Sequence, residues 1–200
     1  MIKLFEQYNG YNQVKNWLDE MRVKNYTIND DLTVDVNGHV NLSEFRLTEI
    51  PIQFGRVTGI FYIDRNSLTS LKGCPNYVGS KLSCSHNKLT TLEYGPEYVG
   101  ETFNCSNNKL TSLEYSPKFV GYMFFCHSNN LSGLKGFPDY INSENINLGN
   151  NGLPTQIYTF KDIKTLIKYQ DDYGIWNQDG SFNKARWNIF NKDFKAGILK

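Results

Sequence analysis

Apolar positions along this chain recur every 21 residues, not at the helical or the simple strand period. From Leu47 the rows read LTEIPIQFGRVTGIFYIDRNS, LTSLKGCPNYVGSKLSCSHNK from Leu68, LTTLEYGPEYVGETFNCSNNK from Leu89 and LTSLEYSPKFVGYMFFCHSNN from Leu110. A fifth row from Leu131, LSGLKGFPDYINSENINLGNNG, holds one extra residue, and a sixth fades after Leu153. Self-similarity at this period predicts a solenoid, in which each coil buries its apolar face only against its neighbours.

Each column of the rows has a physical reading. Phe61, Leu82, Phe103 and Phe124 share column 15, and Ile63, Cys84, Cys105 and Cys126 share column 17. Two residues apart, they lie on one face of a short strand. Asn66, Asn87, Asn108, Asn129 and Asn151 form a polar column whose amides can satisfy backbone groups at a turn. Leu68, Leu89, Leu110, Leu131 and Leu153 follow two residues later. Pro75, Pro96, Pro117 and Pro138 mark a bend where no ladder donor is required. Tyr77, Tyr98, Phe119 and Tyr140, each followed by Val or Ile, fill a further column.

A solenoid needs its two ends covered. Val14, Trp17, Leu18 and Met21 recur at helical spacing and predict an amphipathic helix near 13–23, with Asn12 as its N-cap. Val34 and Val36, the Asn37-Gly38 turn, and Val40 and Leu42 read as a β-hairpin. Its returning arm supplies the first solenoid strand and its outer arm closes the edge. At the other end, Thr159 with Asp162 opens a predicted helix carrying Phe160, Ile163, Leu166 and Ile167. After the turn at Trp176–Gly180, Ser181 caps a second one carrying Phe182, Ala185, Ile189 and Phe190. The expected organisation is therefore an N-terminal helix and β-hairpin cap over 1–46, repeats over 47–154, and a helical C-terminal cap over 155–200.

The phrase L-x-C-x-x-N-x-L-x-x-L, as in Leu82 to Leu92, resembles the short bacterial form of the leucine-rich repeat. The V-G pair before each strand, the C-S-x-N-K-L-T-S-L run after it and the lead-in TVDVNGHVNLS resemble small leucine-rich-repeat proteins of tailed bacteriophages. The resemblance implies an α/β solenoid with a parallel β-sheet on its concave face, and a non-enzymatic module that binds a protein. It also implies a phage chain acting on a host or defence protein in the host cytoplasm.

Charge and chemistry narrow this reading. With 21 basic and 20 acidic side chains the net charge is +1, which lacks the basic excess that nucleic acid demands. No segment approaches the ~20 apolar residues of a membrane span, and the start MIKLFEQYNG carries no signal-peptide core, so a cytoplasmic protein is expected. Phosphate-loop, HExxH, GxSxG and CxxC motifs are all missing, so no catalytic residue, metal or cofactor is assigned. The cysteines at 21-residue spacing read as small hydrophobes facing the core. His86 and His127 fall in columns that turn away from the thiols, which makes a Cys/His metal site geometrically poor.

The outward columns are left for recognition. Tyr62, Lys81, Thr102, Asn104, Met123, Phe125 and His127 are the candidate binding residues, with Tyr62, Met123 and Phe125 expected as exposed anchors. Such a face offers on the order of 400 Å², half of one partner's share of a standard interface. Trp176, Trp187, Lys184 and Arg186 are expected to extend it. Two alternatives stand beside this one: an enzyme site at the C-terminal cap junction around Asp171, Asp172, Asp179 and Lys184, and a self-assembling structural component. Sugar binding by Tyr62, Asn104 and Phe125 fits a cytosolic chain less well.

Overall fold

One 21-residue row closes one coil, and the coils stack through two parallel ladders instead of one. The computed structural model describes residues 10–141 and 145–199. The chain enters through α1 (Tyr11–Glu20), β1 (Tyr26–Ile28), β2 (Val34–Val36) and β3 (Val40–Asn41). Each later coil then contributes a pair of short strands. These are β4 (Phe54–Val57) and β5 (Phe61–Tyr62), β6 (Tyr77–Val78) and β7 (Leu82–Ser83), and β8 (Tyr98–Val99) and β9 (Phe103–Asn104). The last two pairs are β10 (Phe119–Val120) with β11 (Phe124–Phe125), and β12 (Tyr140–Ile141) with β13 (Ile146–Asn147). One sheet runs β1-β2-β4-β6-β8-β10-β12 and the other β13-β11-β9-β7-β5-β3. The result is a β-solenoid of about five turns flanked by helices. No helix among the described residues is long and apolar enough to cross a membrane.

The register follows the repeat. Phe61 pairs with Leu82, Leu82 with Phe103 and Phe103 with Phe124. Phe119 pairs with Tyr140, 21 residues on, whereas Phe124 pairs with Ile146, 22 residues on, so the extra residue of the fifth row falls between the two sheets. The inward columns are fully buried: Phe61, Leu82, Phe103 and Phe124 beside Ile63, Cys84, Cys105 and Cys126. The Leu of each row, such as Leu68, Leu89 and Leu110, closes the core from the opposite side.

The asparagine column is the polar counterpart of that core. In each coil Nδ2 donates to three carbonyls while Oδ1 accepts a leucine N–H from the preceding coil. Asn87 donates to Ile63, Cys84 and Ser85 at 2.9, 3.0 and 3.3 Å and accepts from Leu68 at 3.0 Å. Asn66, Asn108, Asn129 and Asn151 repeat the pattern. The carbonyls of Ile63 and Cys84, which have no ladder donor, each accept from two successive asparagines and are thereby satisfied.

Tyr77, Tyr98, Phe119 and Tyr140 lie on the outside of the second sheet as one ladder of parallel rings, with centroids 4.7, 4.6 and 4.8 Å apart. The Arg56 guanidinium lies 3.5 Å over the Tyr77 ring, a cation–π contact at the end of the ladder. Next to this sheet the coils approach so closely that the positions after β6, β8 and β10 must be glycine. A Cβ on Gly79, Gly100 or Gly121 would fall on the carbonyl oxygen of Thr58, Gly79 or Gly100 respectively. Gly100→Ala is therefore expected to cost about 3 kcal/mol through overpacking against backbone, read as a lower urea midpoint at unchanged slope.

The caps differ in detail from their sequence patterns. Val34–Val36 and Val40–Asn41 do not form a hairpin with each other. They lie in different sheets, because the Asn37-Gly38 turn marks the corner between the two faces of a coil. The antiparallel pairing is between β1 and β2, so Tyr26–Ile28 closes that edge. Val40 does begin the solenoid ladder, opposite Phe61. Gly10, not Asn12, occupies the N-cap of α1, whose buried Val14, Trp17 and Leu18 cover the end of the core. Residues 1–9 of this N-terminal unit lie outside the described residues.

At the C-terminal end three helices form: α2 (Thr155–Thr159), α3 (Ile163–Tyr169) and α4 (Lys184–Lys195). Thr159 ends α2 by donating back to Thr155, and Asp162 alone caps α3, accepting from the Thr165 N–H at 3.0 Å. Ser181 is held by Asp179 within its turn, so Asn183 caps α4 instead. The buried face of α4 is Trp187 and Phe190, against which Phe160 packs at 5.3 and 5.4 Å between centroids. Ala185 and Ile189 lie on its exposed side.

Candidate functional site

The outward positions of the β3-to-β13 sheet come into line because the pleat alternates. Tyr62, Ser83, Asn104 and Phe125 are consecutive rungs. At ~4.8 Å per strand the two rings stand roughly 14 Å apart, with a serine and an asparagine between them. These residues line a depression of about 440 Å³, together with Ser43, Glu44, Asp64, Arg65, Lys81, Leu82, Ser85, His86 and Thr102.

Its floor is held by hydrogen bonds. The Asp64 carboxylate accepts from the hydroxyl of Ser83 and, at 3.0 and 2.8 Å, from the N–H and hydroxyl of Ser85. One coil further on, Asn104 Oδ1 accepts from the N–H and hydroxyl of Ser106 at 3.0 and 2.7 Å. Asn41 makes the same bond to the Ser43 N–H, and Asn147 to the Gly149 N–H. Column 16 therefore fixes the end of its own strand wherever it is Asn. In the Ser83 coil the serine side chain is too short, and the neighbouring coil's Asp64 takes its place.

Charge at the rim is mixed. Arg65 pairs with Glu44 at 2.9 Å, both well exposed, a pair worth little to stability. Lys81 makes no ion pair among the described residues, so its ammonium is available to an incoming group. The depression thus offers two aromatic walls, a polar floor with one carboxylate, and a free cation. This set suits non-covalent contact with a mixed polar and apolar surface.

Five of the seven sequence-predicted binding residues, Tyr62, Lys81, Thr102, Asn104 and Phe125, line this depression. Met123 and His127 lie on the same side of the sheet but outside it, and His127 Nδ1 contacts the Ser128 hydroxyl at 3.2 Å. Tyr62, Met123 and Phe125 are half-buried, not fully exposed, because flanking rungs cover part of each side chain. The C-terminal aromatics do not extend the site. Trp187 is buried, and Trp176 is half-buried and donates from Nε1 to Gln170 at 2.6 Å. Asp171 and Asp179 do share a second cleft with Glu114, Lys135 and Trp176, which includes neither Asp172 nor Lys184.

The thiols take no part in the site. Cys74, Cys84, Cys105 and Cys126 are all buried and free, and burial pushes each thiol well above its ordinary range. No cluster of metal-ligating groups occurs among the described residues.

One surface feature is missed by sequence reasoning. Tyr94 and Tyr115 occupy a left-handed turn position, at φ +68° and +67°, that Gly73 and Gly136 fill in the flanking rows. Both rings are well exposed, and a bulky residue at positive φ is costly. The alternation Gly-Tyr-Tyr-Gly in that column is the signal that marks it.

No family model, curated protein or solved structure matches the chain. The site therefore rests on its own geometry.

Proposed function

We propose that the chain is a non-enzymatic protein-binding module of leucine-rich-repeat type, which docks its partner on the face of the β3-to-β13 sheet around Tyr62 and Phe125. The supporting observation is the placement of two half-buried rings on either side of a polar floor, held on a rigid stack of coils. Rings set in a hydrogen-bonded frame lose little freedom on binding, which is why aromatics serve as anchors. Lys81 at the rim offers its ammonium to an acidic group of the partner. The face alone is about half of one side of a standard interface, so the partner must also reach its rim. The repeat resemblance supplies the setting: a small phage chain directed at a bacterial host or defence protein.

The test is capture from bacterial lysate by the wild-type chain and by Tyr62→Ala, Phe125→Asp and Lys109→Ala. A discrete partner retained by wild type and Lys109→Ala is expected, with at least tenfold weaker binding for the first two, as anchors worth more than 1.4 kcal/mol require. Failure of wild type to retain a partner, or equal retention by Phe125→Asp, would sink the reading.

A further inference from the structure

The two ends of the β3-to-β13 sheet are not equivalent. In every internal coil the N–H groups of columns 15, 17 and 19 donate to the following coil. Phe103 donates to Met123, Cys105 to Phe125 and Asn107 to His127, at 2.9, 2.8 and 3.0 Å. Phe124, Cys126 and Ser128 likewise donate to Asn145, Asn147 and Gly149. The next set belongs to β13, the last strand of the sheet. Its N–H groups at Ile146, Leu148 and Asn150 point the same way, and among the described residues no acceptor stands opposite them.

A cleft of about 330 Å³ runs along this edge. Residues 146–149 form one wall. Ile157, Phe160 and Ile163 from α2 and the start of α3 form the other, with Tyr158 and Lys161 at the rim. A sheet edge that offers unpaired N–H groups beside an apolar wall is a template for strand addition. Because α2 and the start of α3 line its other side, the edge is set up for a single strand rather than for the broad end of another solenoid. Among the described residues of its lining, Lys161 is the single charged group.

We propose that this edge binds an extended acidic peptide segment as a further parallel strand of the sheet. The backbone carbonyls of the segment accept from Ile146, Leu148 and Asn150. One of its own N–H groups donates to the Ile146 carbonyl, as Asn147 does in the β11–β13 pairing. Its inward side chains are apolar and lie against Ile157 and Phe160, and its carboxylate meets Lys161. The site is separate from the Tyr62–Phe125 depression, which shares no residue with it.

A suitable probe is the synthetic peptide GHVNLSE, the sequence of residues 38–44, which presents the ladder register and alternation of a coil together with one glutamate. Amide hydrogen exchange of the full chain is followed at rising peptide concentration. Slowed exchange at Ile146, Leu148 and Asn150 is expected, with no change at Tyr62 or Phe125. Lys161→Glu, an exposed substitution that leaves the fold intact, is expected to weaken binding at least fivefold. A peptide N-methylated at the amides that pair with β13 should not bind, although its side chains are unchanged. Three results would overturn the proposal: no protection at millimolar peptide, protection confined to the Tyr62–Phe125 face, or protection that rises with protein concentration in the absence of peptide. The last would assign the edge to a second copy of the chain.

Discussion

Asn108→Ala is expected to lower stability by about 3–4 kcal/mol, a large share of the 5–15 kcal/mol that holds a domain together. The Asn108 amide donates to Cys84, Cys105 and Ser106 at 3.1, 3.1 and 3.2 Å, and its oxygen accepts from the Leu89 N–H at 3.0 Å. Alanine leaves the buried Leu89 N–H without a partner and takes one bond from each of three carbonyls, which keep Asn87, Asn129 and the His86 N–H as donors. The orphaned donor and the four lost bonds together make the change costly. For a chain of this size the loss corresponds to a fall in melting temperature of roughly 10 °C. The neighbouring Lys109→Ala, on the exposed surface, is expected to fall within about 0.5 kcal/mol. Thermal unfolding of the two variants side by side checks this, and equal melting temperatures would mean that the asparagine column is not what closes the turns.

The second large effect is an alkaline loss of stability. Burial raises all four thiols, so in the folded protein each keeps its proton far above the pH at which a free cysteine ionises. In the unfolded chain they ionise near pH 8.5. Above that pH the unfolded state binds fewer protons than the folded state, so stability falls as pH rises. Below it both states are protonated and the contribution is constant. Four thiols at about 1.4 kcal/mol each per pH unit give a slope of about 5.5 kcal/mol per unit once the unfolded chain is fully ionised. Urea midpoints between pH 7 and 10 measure it. Cys105→Ala should reduce the slope by about a quarter, whatever it does to stability at pH 7. A slope unchanged by that substitution would place the titrating groups elsewhere. The same burial predicts that thiol reagents label the native protein only through unfolding.

Much of this could be read from the sequence because the repeat imposes its own test. A column that holds Phe or Leu in four rows and Cys or Ile two residues later has one physical solution, a strand face turned to the core. The Asn and Leu columns had equally narrow meanings. The second parallel ladder was not legible in the same way. Tyr77-Val78, Tyr98-Val99, Phe119-Val120 and Tyr140-Ile141 are only two residues long, too short for alternation to declare a strand, and their rings stack on the outside instead of packing inward. The Val34–Leu42 segment misled for a related reason. Alternation around Asn-Gly describes a hairpin and a solenoid corner equally well, and the choice depends on whether the two arms meet each other or the next coil. At the C-terminal end, α4 shows Trp187 to the core because Phe160 arrives there from another element, a contact that helical periodicity cannot report.

The candidate site divides along the same line. Which side chains point outward followed from the pleat, so Tyr62, Asn104 and Phe125 were legible from their columns. That Met123 and His127 stand apart from the depression, and that Asp64 reaches across to Ser83 and Ser85, depends on side-chain reach between coils.

The spacing of its residues alone determined that this chain stacks 21-residue coils, because only that register buries the leucine column, the Phe61–Phe124 column and the thiols at once. The tertiary structure decided which short segments become strands, where the coils turn and which edge is left open, because these depend on the next coil supplying or withholding a hydrogen-bond partner.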